Sequence, residues 1–418
     1  MMAQAFYSGI SGLQTNSTGI NVLTDNLSNI NTVGFRGYDI EFSSLFEKSI
    51  NTNSVGSSVD SSVGVGSKVS ATSMRQTNGS LQLSDRSTDL AIDGNGWFGV
   101  QGNGKPVYTR DGTFNIDANA DLVSLDGFHV LGTLGGNISA DNVLTSTLNE
   151  VKLGDVASQE KLRFPKTLKY PPVPTSKAKF FANVGVDPVV RTISASVIDG
   201  KSNKNELHLE FTKDAIQNPP GSQWSVKATT QTLDGNTIYD TKLGSVAFDS
   251  AGALTSSTLT TIDNNGTSVA IDLGSGYDGI VSINRPVVSG SSLADGTIGG
   301  DLRGYAINKN AEVIATFTNG KQSSVGKIAV FHFRNEQGLE RLNGTRFQES
   351  SNSGNPIFFK NANGQNVIGA NVVNFKTEGS NYDLTSGLTE LIILQRAYDA
   401  NSKSITTADQ MIQKALKM

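Results

Sequence analysis

Apolar residues near the N-terminus recur with the period of an α-helix. Between residues 6 and 30 they fall three, four or seven positions apart at Phe6, Ile10, Leu13, Ile20, Leu23, Leu27 and Ile30. Asn, Ser, Thr and Gln occupy the opposite face, which is the pattern of an amphipathic helix. Gly34 predicts the end of this helix. From Met1 to Val33 the only charged side chain is Asp25, so the predicted helix is almost uncharged.

The C-terminal segment has the same period. Asp383 and Thr385 are candidate N-caps for a helix that we expect to run from Leu388 to Leu416. Its heptad pattern places apolar residues at Leu384, Leu391, Leu394, Tyr398, Ile405 and Ile412. Such a stripe needs a partner to cover it. Either the two helices pack on each other or on the core, or they pair and then pack on copies in other subunits.

The chain between the helices has the pattern of β-structure. Short alternating runs are separated by turn dipeptides such as Asn78-Gly79 and Asp126-Gly127. Leu207, Leu209 and Phe211 alternate with polar neighbours, and the apolar run at Lys327–Phe333 predicts a strand buried on both faces. We therefore predict a mainly β fold with α-helical termini, in which a coiled-coil-like helix pair carries two nested, discontinuous antiparallel β domains.

Composition shifts suggest the domain boundaries. A Ser/Val/Gly-rich tract at 38–75 predicts an extended or weakly ordered connector, and a proline cluster at 165–174 and a Gly/Ser-rich stretch near 289–300 predict further boundaries. We expect paired terminal helices at 1–35 and 383–418 and a connector at 36–75 and 366–382. The first β domain then comprises 76–149 and 298–365, and 150–297 form an inserted outer β domain.

Charge and composition exclude several classes of partner. The net charge is -4 and only 17% of the residues are charged, so no basic excess favours nucleic acid or an anionic membrane. The chain has no cysteine, which excludes disulfides and thiolate metal sites. No apolar run is long enough to span a membrane, and the N-terminus lacks the basic region of a cleavable signal peptide.

Candidate chemistry is sparse. His129, His208 and His332 lack metal-ligand spacing, and we expect each to be structural. The glycine-rich turns are not followed by the helix that a phosphate site requires, and Trp97 and Trp224 are expected to pack rather than stack on sugar. We therefore expect no catalytic residue, no metal and no cofactor.

The turn after the first helix carries a recognisable motif. Its residues resemble the N-terminal signature of the bacterial flagellar axial proteins, which comprise rod, hook and hook-associated proteins; they are Asn26, Leu27, Asn29, Thr32, Gly34 and Phe35. Ser28 and Arg36 stand where that family commonly has Ala and Lys.

The C-terminal helix is similar to that of the same family at Gln395, Arg396 and the run 407–411. Gly387 stands where the family often has Glu, and we expect it to loosen the first helical turn. The resemblance covers roughly 1–145 and 297–418 and is weak over 150–297. That inserted segment favours the hook members over the distal rod members.

The resemblance implies a structural subunit that polymerises through its terminal helices. The expected product is a short curved tube, a universal joint that transmits motor torque to the filament. The implied partners are copies of the chain, the distal rod, the hook cap, the hook–filament junction proteins and the flagellar type III export apparatus. The implied location is extracellular. Alternatives are a distal rod or junction protein, or a secreted adhesin or lectin.

Overall fold

Two long helices pack against each other in a computed structural model that describes residues 2–46, 64–217, 219–285 and 290–417. Helix α1 spans Met2–Ser28 and α2 spans Leu384–Leu416. The Asp383 carboxylate accepts a hydrogen bond from the Ser386 backbone N–H at 2.8 Å, which confirms Asp383 as the N-cap. Thr385 lies inside the helix, so its assignment as a cap was wrong. The predicted stop at Gly34 was also wrong, because α1 ends at Ser28.

A two-stranded antiparallel ribbon follows α1 and packs along it. It consists of β1, Tyr38–Phe46, and β2, Gly64–Met74, with Tyr38 paired to Met74. Residues 47–63, between the two strands, lie outside the described residues. On either side of them the predicted connector forms the strands of a hydrogen-bonded ribbon.

The next part of the chain contributes short strands to an inner β domain. They are β3 (Leu81–Leu83), β4 (Leu90–Asp93), β5 (Trp97–Gln101), β6 (Val107–Thr109), β7 (Phe114–Ile116), β8 (Leu122–Ser124), β9 (His129–Leu134), β10 (Glu160–Lys161) and β11 (Lys169–Tyr170). A single 3-10 turn, Val156–Ser158, precedes β10 in this part of the described chain.

The middle of the chain forms two further sheets. Their strands are β12 (Lys177–Asn183), β13 (Arg191–Ile198), β14 (Lys204–Lys213), β15 (Ser222–Thr232), β16 (Ile238–Phe248), β17 (Leu254–Ser257), β18 (Thr261–Asn264), β19 (Thr267–Asp272), β20 (Gly274–Ser275), β21 (Asp278–Val281) and β22 (Ser291–Ala294). One sheet runs β13-β14-β15-β16-β17, and the other runs β18-β19-β12-β21-β20 with β22 beside β12. Strand β12 pairs parallel with β19 and β21, so this sheet is mixed rather than antiparallel as predicted.

The chain then returns to the inner domain. Its strands are β23 (Gly300–Ile307), β24 (Glu312–Phe317), β25 (Gln322–Ile328), β26 (Val330–Phe331), β27 (Glu340–Arg341), β28 (Arg346–Gln348), β29 (Phe359–Lys360), β30 (Asn366–Val367), β31 (Asn371–Asn374) and β32 (Lys376–Glu378). The main sheet runs β11-β23-β24-β25-β9-β5-β6-β28-β27 and so mixes strands from before and after the middle segment. Strand β3 pairs with β32, and β4 pairs with β31.

The two β units have separate hydrophobic cores. The predicted inward residues Leu207, Leu209 and Phe211 are fully buried in the outer core, and the predicted buried strand at 327–333 lies in the inner domain. Phe164 and Tyr170 also belong to the inner core, although the sequence assigned them to the inserted domain. The proline cluster marks the exit from the inner domain, so the predicted boundary at 150 was placed too early. The other boundaries stay predictions.

Candidate functional site

The face of α1 that meets α2 is built from small residues. The buried positions of α1 are Gly9, Gly12, Thr15, Gly19, Leu23 and Asn26; the glycines face α2, whereas Thr15 and Asn26 hydrogen-bond to the ribbon. A Cβ atom added to Gly9, Gly12 or Gly19 would lie 2.6–2.7 Å from side-chain atoms of Ile405, Asn401 and Leu394, respectively. The helices therefore pack closely over these glycines, and a larger residue at any of them would force the facing side chain of α2 to shift.

The predicted apolar stripes fall only partly on this contact. On α1, Leu23 is buried, Ile10 is exposed, and Phe6, Leu13, Ile20 and Leu27 are half-buried; Ile30, also half-buried, lies in the turn after α1. On α2, Leu384 and Tyr398 are exposed, while the half-buried members are Leu391, Leu394, Ile405 and Ile412. The sequence analysis missed the glycine face because it searched for periodic apolar side chains. Two helices that pack this closely need small residues at their contact instead.

Helix α2 also exposes apolar side chains that the pairing with α1 leaves uncovered. They are Leu384, Leu388, Ile392, Ile393, Tyr398, Met411 and Leu416. Since exposed aliphatic residues in this number on one helix indicate a contact surface, these side chains of α2 form the candidate assembly surface.

Two asparagine side chains fix the junction between the helices and the ribbon. Asn26 is fully buried; its Nδ2 donates to the Tyr38 carbonyl at 2.7 Å and its Oδ1 accepts from the Tyr38 N–H at 2.9 Å. The Oδ1 of Asn381 accepts from the Gly37 N–H at 2.8 Å, and its Nδ2 donates to the Arg75 carbonyl at 3.0 Å. Each side chain satisfies backbone groups on a different segment, so the ribbon leaves α1 at a fixed angle.

A buried ion cluster lies beneath this junction. Glu378 pairs with Arg36 through Oε1 at 3.4 Å and with Arg110 through Oε2 at 3.2 Å, and all three side chains are almost completely buried. Its Oε1 also accepts from the Gly79 N–H at 2.9 Å. Burial lowers the pKa of Arg110 to about 10, against the attraction of Glu378. The same cause lowers the pKa of Arg36.

The remaining signature residues pack the turn onto the inner domain. Gly34 has φ +69°, and an added Cβ would lie 2.4 Å from the Asp111 backbone nitrogen, so the close approach requires glycine here. Phe35 is buried with the Arg341 guanidinium 5.2 Å from its ring centroid. The Thr32 hydroxyl donates to the Asn29 Oδ1 at 3.1 Å. The structure thus brings the N-terminal signature together with Glu378.

The C-terminal motif residues lie elsewhere. Gln395 and Arg396 are exposed on α2. Gly387 is buried, and a Cβ there would lie 2.4 Å from the Tyr382 ring. Because position 387 has no side chain, the Tyr382 ring can pack against the helix. This contact corrects the expectation that Gly387 only loosens the first turn.

The candidate chemical residues have structural surroundings. His332 is buried, its Nε2 lies 2.7 Å from the Ile368 carbonyl, and burial lowers its pKa. His208 Nδ1 lies 3.0 Å from the Ser194 hydroxyl. Trp97 and Trp224 are both in cores, as expected. Within the described ranges no group of three metal-ligating side chains converges, and no helix is long and apolar enough to cross a membrane.

Three family models match the chain, and two of them cover the ends just described. "Flagella basal body rod protein" matches residues 6–36, and "Flagellar basal body rod FlgEFG protein C-terminal" matches 376–418. "Flagellar hook protein FlgE/F/G D1 domain" matches 91–156. The chain is thus similar to the flagellar axial proteins at both ends and within the inner domain. The resemblance predicted from the motifs is confirmed, and the matched ends coincide with α1 and its turn and with β32 and α2.

Curated relatives extend the similarity over the whole chain. The flagellar hook protein FlgE of Borreliella burgdorferi is 27% identical over 454 residues and covers 100% of both chains. That of Salmonella typhimurium is 26% identical over 431 residues and covers 98% of both. A crystal structure of the Helicobacter pylori hook protein FlgE2 aligns with TM-score 0.52 at 16% identity over 70% of this chain and 98% of that chain, which shows a shared fold.

Proposed function

We propose that this protein is the structural subunit of a bacterial flagellar hook, which polymerises through its paired terminal helices. The observation that carries the proposal is the set of apolar side chains that α2 leaves exposed after it has paired with α1. Burying each large one contributes roughly 1.5–3 kcal/mol, so stacking of copies is strongly favourable. The full-length similarity to hook proteins supports the same role.

The weak charge of the helix pair suits the inner wall of such a tube. A charge buried among identical copies is costly unless it is paired, and α1 carries only Asp25. The Asp25 carboxylate is held by Arg341 at 2.8 Å, at the end of α1 near the junction. The remaining polar residues of α1 are small and neutral, so they can face other subunits or a wet channel without a large desolvation cost.

The two β units would then lie outside the helices and permit bending. With 17% charged residues overall, neighbouring surfaces offer few strong ion pairs that would fix one register. Subunits can therefore slide while their helices stay packed, which is the property of a curved universal joint that transmits torque.

The proposed partners follow from this position in the flagellum. Copies of the chain form the tube; the distal rod, the hook cap and the hook–filament junction proteins contact its ends. The flagellar type III apparatus exports the subunit to the outside of the cell. Two family models carry rod descriptions, but the curated relatives that match along the full chain are hook proteins, which favours the hook over the distal rod.

Immunogold electron microscopy on flagellated source cells tests the proposal, with antibody raised against the outer unit. Gold confined to the short curved segment between envelope and filament is the expected result. Gold scattered over the cell surface would favour an adhesin. Gold that appears only after the envelope is stripped would place the protein in the rod.

A further inference from the structure

We propose that a ridge on α2 packs into a groove on the next copy of the chain. The α2 ridge consists of Leu384, Leu388, Ile392 and Arg396. The ribbon groove lies where α1, β1 and α2 meet, and its lining residues are Leu23, Asp39, Ile40, Phe42, Glu390, Ile393 and Leu394. This inference rests on the proposed function and names the contact through which the copies would assemble.

The ridge has the geometry that helix packing requires. Its members follow at intervals of four residues and so form an inclined row on the helix surface, the kind of ridge that fits the groove of a neighbour. Leu384, Leu388 and Ile392 are 47%, 42% and 57% exposed. From Leu384 to Arg396 the row extends roughly 18 Å along the axis.

The groove has an apolar interior that one copy leaves open. It encloses about 330 Å³. Phe42 and Ile393 on its walls are 46% and 60% exposed. Gly19 lies next to the lining residues, since a Cβ there would lie 2.7 Å from Leu394 Cδ1 and 3.4 Å from Phe42 Cζ. A large side chain at position 19 would fill the space, so the glycine keeps the groove deep.

Charge on the groove rim complements the end of the ridge. Asp39 and Glu390 share Arg75, whose nitrogens lie 2.6 and 3.7 Å from their carboxylates. Two carboxylates facing one guanidinium leave a surplus negative charge at the rim. Arg396 is exposed and forms none of the ion pairs seen in the described part of the chain. With the ridge seated, Arg396 supplies the missing positive charge.

A chain cannot seat its own ridge in its own groove. Ile392 and Ile393 are adjacent on α2 and therefore point about 100° apart, so the ridge and the groove face different directions. A contact between two different surfaces is heterologous, and such contacts propagate into rings or open helical assemblies rather than closing as a dimer. A second copy of this chain is thus the occupant that fits a tubular polymer.

Disulfide trapping tests the contact, because the natural chain contains no cysteine. Purified Phe42→Cys and Ile392→Cys chains are mixed, polymerised and oxidised, and covalent dimers are counted on non-reducing gels. We expect efficient cross-linking in the mixture. As a matched control, Leu243→Cys replaces Phe42→Cys; this leucine is more exposed than Phe42, 79% against 46%, but lies on the outer unit, and we expect no dimer with Ile392→Cys.

The outcomes separate this inference from the proposed function. Tubes that form without Phe42–Ile392 cross-links would overturn the ridge-and-groove contact and leave the hook proposal standing. If the unmodified chain forms no tubes under any assembly condition, the proposed function and the contact fail together.

Charge reversal provides a second test. Arg396→Glu would face the carboxylates of the groove rim, so we expect the critical concentration for tube formation to rise about tenfold or more. Adding Glu390→Lys to that variant should recover much of the loss. Arg303→Glu, an exposed reversal on the inner domain, should leave assembly unchanged. Normal assembly of Arg396→Glu would contradict the charge contact.

Discussion

Glu378 holds two arginines that come from distant parts of the chain. Arg36 belongs to the turn after α1 and Arg110 to the inner domain, so this carboxylate joins the helical part to the β part. The sequence indicated Arg36 only as a variant of a family motif. The sequence did not indicate that Arg36 pairs with Glu378. The two residues lie far apart along the chain, and a single Glu belongs to no repeating pattern that would single it out. Asn26 is similar, since its motif was visible but its two bonds to Tyr38 were not.

Replacing Glu378 by Gln is expected to destabilise the inner domain by about 3–5 kcal/mol, because two buried guanidinium groups lose their counter-charge. The measurement is urea unfolding followed by tryptophan fluorescence. The chain has only two tryptophans, so a Trp224→Phe background leaves Trp97 as the reporter of the inner domain. Glu160→Gln, an exposed change on β10, should shift the free energy of unfolding by less than about 0.5 kcal/mol. A similar small shift for Glu378→Gln would contradict the structural role.

Asp121 should contribute a pH-dependent part of the stability. Arg163 donates hydrogen bonds to it at 2.5 and 2.8 Å and lowers the pKa of its carboxyl. The folded pKa is therefore below the unfolded value of about 3.9. The stabilisation is present above that value and is lost as pH falls through the folded pKa.

Thermal unfolding of Asp121→Asn across pH checks this expectation. The Tm should be lower than that of the parent near about pH 6, and the difference should shrink as the pH falls below about 4. Asp141→Asn, at an exposed position, should follow the parent throughout. A difference that stays constant with pH would show that the carboxylate charge is not the stabilising feature.

At the scale of elements, sequence periodicity predicted both helices but misplaced the end of α1 and placed the start of α2 at Leu388 instead of Leu384. Helix α1 stops at Ser28 because the asparagines after it bond locally; the Nδ2 of Asn29 donates to the Asp25 carbonyl at 2.8 Å. Gly34 was assigned as the stop, whereas its positive φ serves the contact with Asp111. The parallel pairing of β12 was also missed, because hydrophobic alternation does not encode the direction of a neighbouring strand.

The glycine face of α1 makes a direct prediction for helix pairing. Gly19→Val should push Leu394 away and expose α2, although glycine is the poorer helix former. Overpacking of this kind costs about 1–3 kcal/mol, so amide hydrogen exchange in α2 should accelerate about tenfold. Ser17→Val, on the exposed side of α1, is the matched control and should leave exchange unchanged. Equal exchange rates for both variants would mean that α1 and α2 are not held by this face.

At the scale of the whole molecule, the outer unit departs from the inner domain and returns beside the point of departure. Val173 and Thr297 form an antiparallel bridge, and Tyr170 pairs with Gly300. The alternation of apolar and polar residues predicted the strands of this unit. The exit point was misjudged because no change of composition at residue 150 separates the two units, and only the proline cluster at 165–174 lies near the observed exit.

Deleting residues 174–296 and joining the ends through Asn-Gly should leave the inner domain folded. Such a dipeptide suits the tight turn of a two-residue hairpin, and the inner core keeps all its residues. We expect the Trp97-reported unfolding midpoint to stay within the error of the parent and the chain to form thinner tubes in negative-stain micrographs. Aggregation or loss of the unfolding transition would show that the inner domain depends on the outer unit.

Along the chain, α1 precedes and α2 follows every strand that the structure describes, yet the two helices pack against each other. A polypeptide truncated by premature termination before residue 384 therefore carries α1 without the helix that completes it. Such a fragment would lack the contact between α1 and α2 and, in the proposed polymer, would not fit a growing array. If the subunit polymerises as proposed, the order of the elements would act as a length check that admits only fully translated chains.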